Sequence, residues 1–299
     1  MGRVAETPRK NKEVIIIEVA GGLGNQMFQY ALYQKYLHMG KAVKLDLFSY
    51  ENPKSMPFEL DLFHLPYDVD TKKERSGYMD QKRLSVYRIL DQISGRPKHS
   101  YYAEKLDVGY QPEILNFENT YLSGYWQCEK YFMDFRQDVL DLFQFPDQQI
   151  NLASRSLQEQ MRREQAVAVH VRRGDLKEEV SSYGAPASFD YFINATAFFK
   201  KKLYRPYFYF FSDEPEWVKM DLLPRLSVKD CAEVVDINGS DKGYMDLYLL
   251  AHCKHQITTK GTLGKFGALL ADNPDKYVVL YNDETQQYWK MLLQNPVFI

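Results

Sequence analysis

Residues 165–175 constrain the fold of this chain more than any other stretch. Ala166-Val167-Ala168-Val169 is a run of small and β-branched apolar residues, and it closes on His170-Val171-Arg172-Arg173-Gly174-Asp175. An apolar run of this kind reads as a strand buried on both faces, as in a parallel sheet covered by helices. Ligands of open α/β sheets bind outside the carboxyl ends of the strands, and this end carries a His, two adjacent Arg and an Asp. Two neighbouring guanidiniums repel, so a fold that holds both calls for a multiply charged partner, and phosphate matches the guanidinium fork best. A nucleotide diphosphate is the first reading. The second is local: one Arg pairs with Asp175 and the other lies in solvent. Arg173-Gly174-Asp175 matches a cell-adhesion tripeptide only by chance, given its place at a strand end.

The flanking pattern supports a doubly wound α/β chain. Val14-Ile15-Ile16-Ile17 is a buried strand, and Gly21-Gly22-Leu23-Gly24-Asn25-Gln26 leads from it into a helix. Phe28, Leu32, Tyr36 and Met39 recur at helical spacing, and Gly40 suits a left-handed helix end. Gly22 and Gly24 let backbone approach a ligand closely at a helix start, where unpaired N–H groups favour phosphate or sugar. The spacing lacks the third glycine of the dinucleotide fingerprint. A second strand follows at Val43 to Leu47.

Pro53, Pro57 and Pro66 break up the next segment. Asp68-Val69-Asp70 matches a metal-binding DxD, but it sits beside a polar run and reads as an exposed turn, so no metal ligand is assigned. Residues 71–100 read as a basic, solvated helical face. Tyr121 to Gln127 is an aromatic strand end, with Trp126 as core rather than acceptor pocket, and Glu129 to Phe143 reads as one amphipathic helix. The segment from Phe145-Pro146-Asp147 to Leu152 is the boundary between two domains, 1–150 and 151–299.

In the second half every polar cluster falls at the exit of a strand. A loop with Gly184 and Pro186 follows Asp175, long enough for an active-site flap, and Phe189 to Lys202 is helical. The aromatic strand Tyr207 to Phe211 runs into Ser212-Asp213-Glu214-Pro215-Glu216-Trp217, where Asp213 or Glu214 caps a helix. A carboxylate there could also meet a guanine edge or a ribose. Val234 to Asp236 is a short strand and Tyr244 to Cys253 a helix. The strand Gln256 to Thr259 turns at Lys260-Gly261-Thr262-Leu263-Gly264 into a helix. That turn is a phosphate cradle by geometry, with Thr262 offering a hydroxyl. Tyr277 to Tyr281 is a further strand and Gln286 to Leu293 a last helix.

Charge and cysteine usage narrow the function. With 38 Lys and Arg against 40 Asp and Glu, the chain lacks the basic surface of a nucleic-acid binder, so any phosphate site is local. Cys128, Cys231 and Cys253 have no metal or disulfide spacing and read as reduced core residues. No signal-peptide pattern opens the chain, and no window of ~18 apolar residues follows. The expectation is a soluble, cytoplasmic protein, with peripheral membrane attachment through a partner left open. The sequons at Asn194 and Asn238 carry no weight without a secretion signal.

Five ordered motifs resemble the inverting α-1,2-fucosyltransferases: GGLGNQMFQYA at Gly21 to Ala31, FELDLF at Phe58 to Phe63, GYWQ at Gly124 to Gln127, HVRRGD at His170 to Asp175 and FSDEPEW at Phe211 to Trp217. HxRRxD alone is shared with α-1,6- and protein O-fucosyltransferases; the other blocks favour the α-1,2 branch. The resemblance implies a GT-B fold, two Rossmann-like domains facing across a cleft, with GDP-β-L-fucose held mainly by the C-terminal one and no metal or other cofactor. The acceptor would be a galactose-terminated oligosaccharide on the N-terminal side. Carried over by position, Arg172 would hold the β-phosphate, Arg173 would support it, His170 and Asp213 would contact the guanosine, and Asn25 would sit near the reacting centre. Gly22, Gly24, Gly261, Thr262 and Leu263 complete the expected donor contacts. The general base is unassigned; Asp175, Glu178 and Glu179 are candidates by proximity. The family's Ser/Thr-aromatic run, like NSTFSWWGA, is replaced here by Lys260-Gly261-Thr262-Leu263-Gly264-Lys265-Phe266-Gly267-Ala268. Either backbone N–H groups and Lys make the phosphate contacts, or donor binding has changed. Two alternatives stand beside α-1,2-fucosyl transfer: another fucosyl linkage, and a GDP-sugar- or glycan-binding module without turnover.

Overall fold

The computed structural model describes residues 13–83, 100–105, 109–178, 185–239, 242–282 and 295–299. Two parallel sheets carry the fold. The first has four strands, β1 (Val14–Glu18), β2 (Ala42–Asp46), β3 (Ser100–Ala103) and β4 (Thr120–Ser123), in the order β2-β1-β4-β3. The second has six: β5 (Gln165–Val171), β6 (Pro206–Ser212), β7 (Ala232–Val234), β8 (His255–Thr258), β9 (Val278–Leu280) and β10 (Pro296–Phe298), in the order β10-β9-β8-β5-β6-β7. Every described strand pairing is parallel. This is the Rossmann-like arrangement expected when apolar strands alternate with helices.

β5 occupies the interior of its sheet, paired with β6 on one side and β8 on the other. Its side chains alternate between two cores: Ala166 and Ala168 join one apolar cluster, and Val167, Val169 and Val171 join the other. Burial on both faces explains why the sequence shows no polar alternation here. The reactive-looking residues begin at His170, where the strand has left β8 but is still paired with β6.

Helices fill the layers: α1 (Leu23–His38), α2 (Lys72–Arg83), α3 (Arg136–Leu142), α4 (Leu152–Arg162), α5 (Gly174–Glu178), α6 (Phe189–Lys202), α7 (Gly243–His252) and α8 (Thr262–Leu270). Gly40 ends α1 at φ +72°, as its position suggested. α1 is apolar on more than one face because it packs on β1 and also on the second half of the chain. Phe28 lies 4.8 Å from Phe266 of α8, edge to face, and Phe143 lies 5.7 Å from Phe266. Phe63 and Phe145 both pack on Tyr244 of α7. One continuous core therefore runs beneath both sheets, and each buried aromatic in it contributes roughly 1.5–3 kcal/mol.

Several expectations need correction. Glu129 to Phe143 is not one helix: two 3-10 turns, Glu129–Tyr131 and Met133–Phe135, precede α3. The backbone leaves helical geometry at Phe132 (φ −130°) and Phe135 (φ −137°), where three buried residues, Glu129, Tyr131 and Phe132, are directed inward together. α2 is not wholly solvated, since Tyr78 is buried and donates to the Val14 carbonyl. Asp68 to Asp70 runs along the edge of β2, with Leu45 bonded to the Asp68 carbonyl and Asp70 to the Leu45 carbonyl. β10 had no counterpart among the expected strands, and the helix assigned to 286–293 and the loop containing Gly184 lie outside the described residues.

Gln26 is the main polar staple of this architecture. It is fully buried, donates to the Gly21 carbonyl at 3.0 Å and the Pro57 carbonyl at 2.9 Å, and accepts from Glu59 N at 3.0 Å and Leu60 N at 3.2 Å. Glu59 in turn accepts the Tyr244 N–H at 2.8 Å, at the start of α7. Gln26→Ala leaves the buried N–H groups of Glu59 and Leu60 and the Pro57 carbonyl without this partner, while the Gly21 carbonyl keeps the Tyr50 hydroxyl. Urea unfolding should show a loss of roughly 3 kcal/mol or more.

Candidate functional site

The carboxyl ends of β1, β4, β5, β6 and β8 meet along one rim. The loop after β1 turns at Gly21, φ +81°, where a side chain would be strained. Gly22 then caps α1 without a side-chain hydrogen bond, and no acidic residue lies in the first turn. The loop after β8 does the same: Gly261 caps α8, again with no side-chain cap and no acid in the first turn. Two helix N-termini therefore present unpaired N–H groups and the positive ends of their dipoles.

These N-termini touch. A Cβ built on Gly24 would lie 2.5 Å from Thr262 Oγ1 and 2.6 Å from the Leu263 nitrogen, so only glycine lets the helices approach this closely. Thr262 Oγ1 donates to Asn25 Oδ1 at 3.1 Å, and Gln127 Nε2 donates to the same oxygen at 3.0 Å. Asn25, Gly24, Thr262 and Leu263 are thus brought together. The Thr262 hydroxyl bonds to Asn25 rather than standing open as a phosphate donor. Gln29 holds the adjoining loops, accepting from Ala20 N and donating to the Gly124 carbonyl. Glu104 accepts the N–H groups of Tyr125 and Trp126. Trp126 is buried, as its pattern implied.

His170, near the carboxyl end of β5, lies beneath the α8 N-terminus. A Cβ on Gly264 would lie 2.6 Å from His170 Cγ, and one on Gly261 would lie 2.7 Å from His170 Cε1 and 3.4 Å from Arg172 Cβ. The two glycines make room for the imidazole. Burial, with the charges of Arg172 and Lys265, pushes the His170 pKa down to about 3. The ring is therefore neutral at working pH, and its Nδ1 is buried without a hydrogen-bond partner. A buried ring nitrogen without a partner is uncommon and marks the imidazole as a group whose bonding is incomplete in the chain alone.

Arg172 and Arg173 each meet a carboxylate of the loop after β6. Arg172 Nη1 lies 3.3 Å from Asp213 Oδ2 and stays about one-third exposed. Arg173 Nε lies 3.2 Å from Glu214 Oε2, and its guanidinium stacks 3.5 Å above the Trp217 ring. Lys177 also bonds Glu214. Arg173 is thereby fixed, while Arg172 faces the rim. Asp213 accepts the N–H groups of Arg173 (3.1 Å) and Gly174 (2.9 Å), which closes the start of α5. Glu214 stands at the N-cap of the short helical turn that begins at Pro215, as expected, and its carbonyl accepts the Val218 N–H at 3.2 Å, but it makes no side-chain capping bond there. The backbone of Asp175 and Glu178 belongs to α5, whereas their side chains, and all of Glu179, lie outside the described residues.

Sequence reasoning passed over one buried pair near this junction. Glu129 is fully buried, and neither carboxylate oxygen has a hydrogen-bond partner. Lys265, in the first turn of α8, is also buried and is near enough to Glu129 and His170 to act on both charges. Burial raises the Glu129 pKa to about 7, with Lys130 and Lys265 opposing the rise. The altered helix start was the available signal, since Lys265 stands where the family's run is aromatic.

Two variants test this geometry. The folded chain keeps a proton on Glu129 that the unfolded chain releases above about pH 4.5, so this side chain costs stability as pH rises from there to about 7. Glu129→Gln removes the slope, and its urea midpoint should gain on that of the parent between pH 5 and pH 7.5 by the equivalent of about 1–3 kcal/mol. Gly264→Ala should displace His170 and lower the urea midpoint, because a Cβ there falls 2.6 Å from His170 Cγ, while circular dichroism stays near that of the parent.

The comparisons with known proteins agree with this arrangement. A family model described as glycosyl transferase family 11 matches residues 3–296. An α-1,2-colitosyltransferase of Escherichia coli is 27% identical over 265 residues, 86% of this chain and 87% of the relative. A galactoside α-(1,2)-fucosyltransferase 1 of Saimiri sciureus is 27% identical over 145 residues, 44% of this chain and 36% of the relative. Among solved structures, a mutant of Arabidopsis thaliana FUT1 in complex with GDP matches with a TM-score of 0.53 at 12% identity, over 94% of this chain and 73% of that one, a likeness of fold. Because the family model spans nearly the whole chain, the protein belongs to glycosyl transferase family 11, the α-1,2-fucosyltransferase family, with a GT-B fold.

Proposed function

We propose that this glycosyltransferase moves L-fucose from GDP-β-L-fucose to the 2-hydroxyl of a galactoside, with inversion and without a metal. The observation that carries the reading is the convergence of two uncapped helix N-termini with the rim-facing Arg172 and the neutral His170. In this reading residues 151–299 hold the donor and residues 1–150 the acceptor. The diphosphate lies at the α8 N-terminus, with Arg172 exchanging part of its contact with Asp213 for the β-phosphate. As the fucose C1–O bond breaks, negative charge grows on that phosphate, and Arg172 with the helix N–H groups stabilises it. Removing one such preorganised donor costs ~3–4 kcal/mol of activation energy. His170 offers its unpartnered ring nitrogen to the nucleoside, and Asp213 orders the backbone around it. The acceptor hydroxyl attacks C1 from the opposite face, near Asn25, and loses its proton to a general base, for which Asp175, Glu178 and Glu179 are the candidates by position. Support for α-1,2 linkage comes from the names of the two relatives, and support for a GDP donor from the GDP-bound structure of similar fold.

The colitosyltransferase relative favours a second donor reading, in which the sugar is colitose, fucose without its 3-hydroxyl. Incubation with GDP-fucose or GDP-colitose, N-acetyllactosamine and chelator, followed by linkage analysis, tests both. The proposal expects a 2-fucosylated product at full rate in chelator; strict metal dependence or a different linkage contradicts it. Arg172→Ala should lower kcat by about 100-fold or more with the fold unchanged, and near-normal turnover would remove Arg172 from the phosphate site.

A further inference from the structure

The sequence carries no local code for the acceptor, but the rim of the first sheet holds a feature built for one. β2 ends at Asp46, and the chain turns at once into a 3-10 turn, Phe48–Glu51. Phe48 is 50% exposed, and Met56, on the same loop, is 45% exposed. Single exposed apolar residues are ordinary on protein surfaces. Phe48 differs because its ring is held in place. The buried carboxylate of Asp46 accepts the Phe48 N–H at 2.8 Å and, through the same Oδ1, Arg75 Nη1 at 3.1 Å. Asp46 Oδ2 accepts from the Tyr121 hydroxyl at 2.7 Å, which fixes the carboxylate. The Arg75 guanidinium then stacks 3.9 Å from the centre of the Phe48 ring. One ring face is backed by a pinned cation and half of the side chain stays in solvent.

The position of this ring is as informative as its support. The 3-10 turn is fastened to the glycine loop, since Tyr50, two residues beyond Phe48, donates its hydroxyl to the Gly21 carbonyl at 2.8 Å. A Cβ on Gly22 would meet Met56 Cε at 3.8 Å, so the loop folds back over the start of α1. Phe48 and Met56 therefore flank the glycine turn on the side of the first sheet, at the carboxyl ends of its strands, where α/β sheets take their ligands. Rigid aromatic surface with adjacent hydrogen-bonding groups suits a ligand that is apolar on one face and polar at its edge. A pyranose ring presents C–H groups on one face and hydroxyls around its rim.

We propose that Phe48, backed by Arg75, is a stacking platform for a pyranose of the acceptor glycan, with Met56 closing one side. The proposal rests on the glycosyl-transfer reading above, and its test separates the two. The parent enzyme is first assayed with GDP-fucose and a galactose-terminated trisaccharide; absence of transfer would contradict that reading and leaves Phe48 to be tested by saturation-transfer NMR of the trisaccharide with parent and Phe48→Ala. Given transfer, Phe48→Ala and Phe48→Leu should each raise the acceptor KM about tenfold or more. Phe48→Trp should keep it within about twofold, because the aromatic face is retained. The KM for GDP-fucose and the rate of donor hydrolysis without acceptor should not change in any of the three. An acceptor KM unaltered in Phe48→Ala, or NMR contacts unaltered where no transfer occurs, would overturn the proposal. So would a Leu variant that behaves like the parent, or a dimer in sedimentation that Phe48→Ala dissociates without affecting KM.

Discussion

The structure turns on the contact between two helix starts. α1 and α8 come from opposite halves of the chain, and both begin on a glycine with no side-chain cap and no acid in the first turn. Bringing two positive helix ends together is unfavourable unless an anion lies between or beside them. Gly24 removes the steric barrier to this approach, and the Thr262–Asn25 hydrogen bond fixes it. The neighbouring residues follow from the same constraint. His170 is kept neutral and adds no charge, whereas Arg172 adds one on the open side and is steadied by Asp213. The result is a concentrated positive potential that a diphosphate can relieve.

Such a junction needs a firm base, and residues of the N-terminal motifs provide it. Gln26 ties the glycine loop to residues 57–60, and Glu59 passes the connection to the first turn of α7. Gln127 reaches Asn25, and Gln29 joins the loops after β1 and β4. Below them Phe28, Phe63, Phe143, Phe145, Tyr244 and Phe266 form an aromatic seam that makes the two layers share one core. Polar bonds at the rim set the geometry, and apolar burial beneath supplies most of the stability. The motifs therefore serve as connectors as much as contacts.

The parts of this legible in the sequence were those written in local pattern. The apolar run before His170 announced a buried strand, the glycines announced close approach, and Gly40 announced a helix end, because each depends on a few adjacent residues. The break-up of residues 129–143 was hidden, since the buried Glu129 and Phe132 answer to α1 and α8 rather than to helical spacing. The destination of the Asp213 carboxylate was hidden for a similar reason: its partners, Arg172, Arg173 N and Gly174 N, lie some forty residues earlier, just beyond the end of the neighbouring strand. Gln26, Glu59 and Gln127 stood inside recognised motifs, yet their roles require knowing which loops face each other. Lys265 carried a signal in its unusual place, and Glu129 supplied the answer only in three dimensions.

The most direct test of the central claim compares ligands that differ only in phosphate. Calorimetric titration of the whole chain with guanosine, GMP and GDP isolates what the two helix starts and Arg172 contribute. Affinity should rise with each phosphate, with GDP at least about 100-fold tighter than guanosine, and Arg172→Ala should remove most of that gain. Equal affinity for the three ligands would mean that the helix junction is a structural contact only, and that the donor phosphates are held elsewhere.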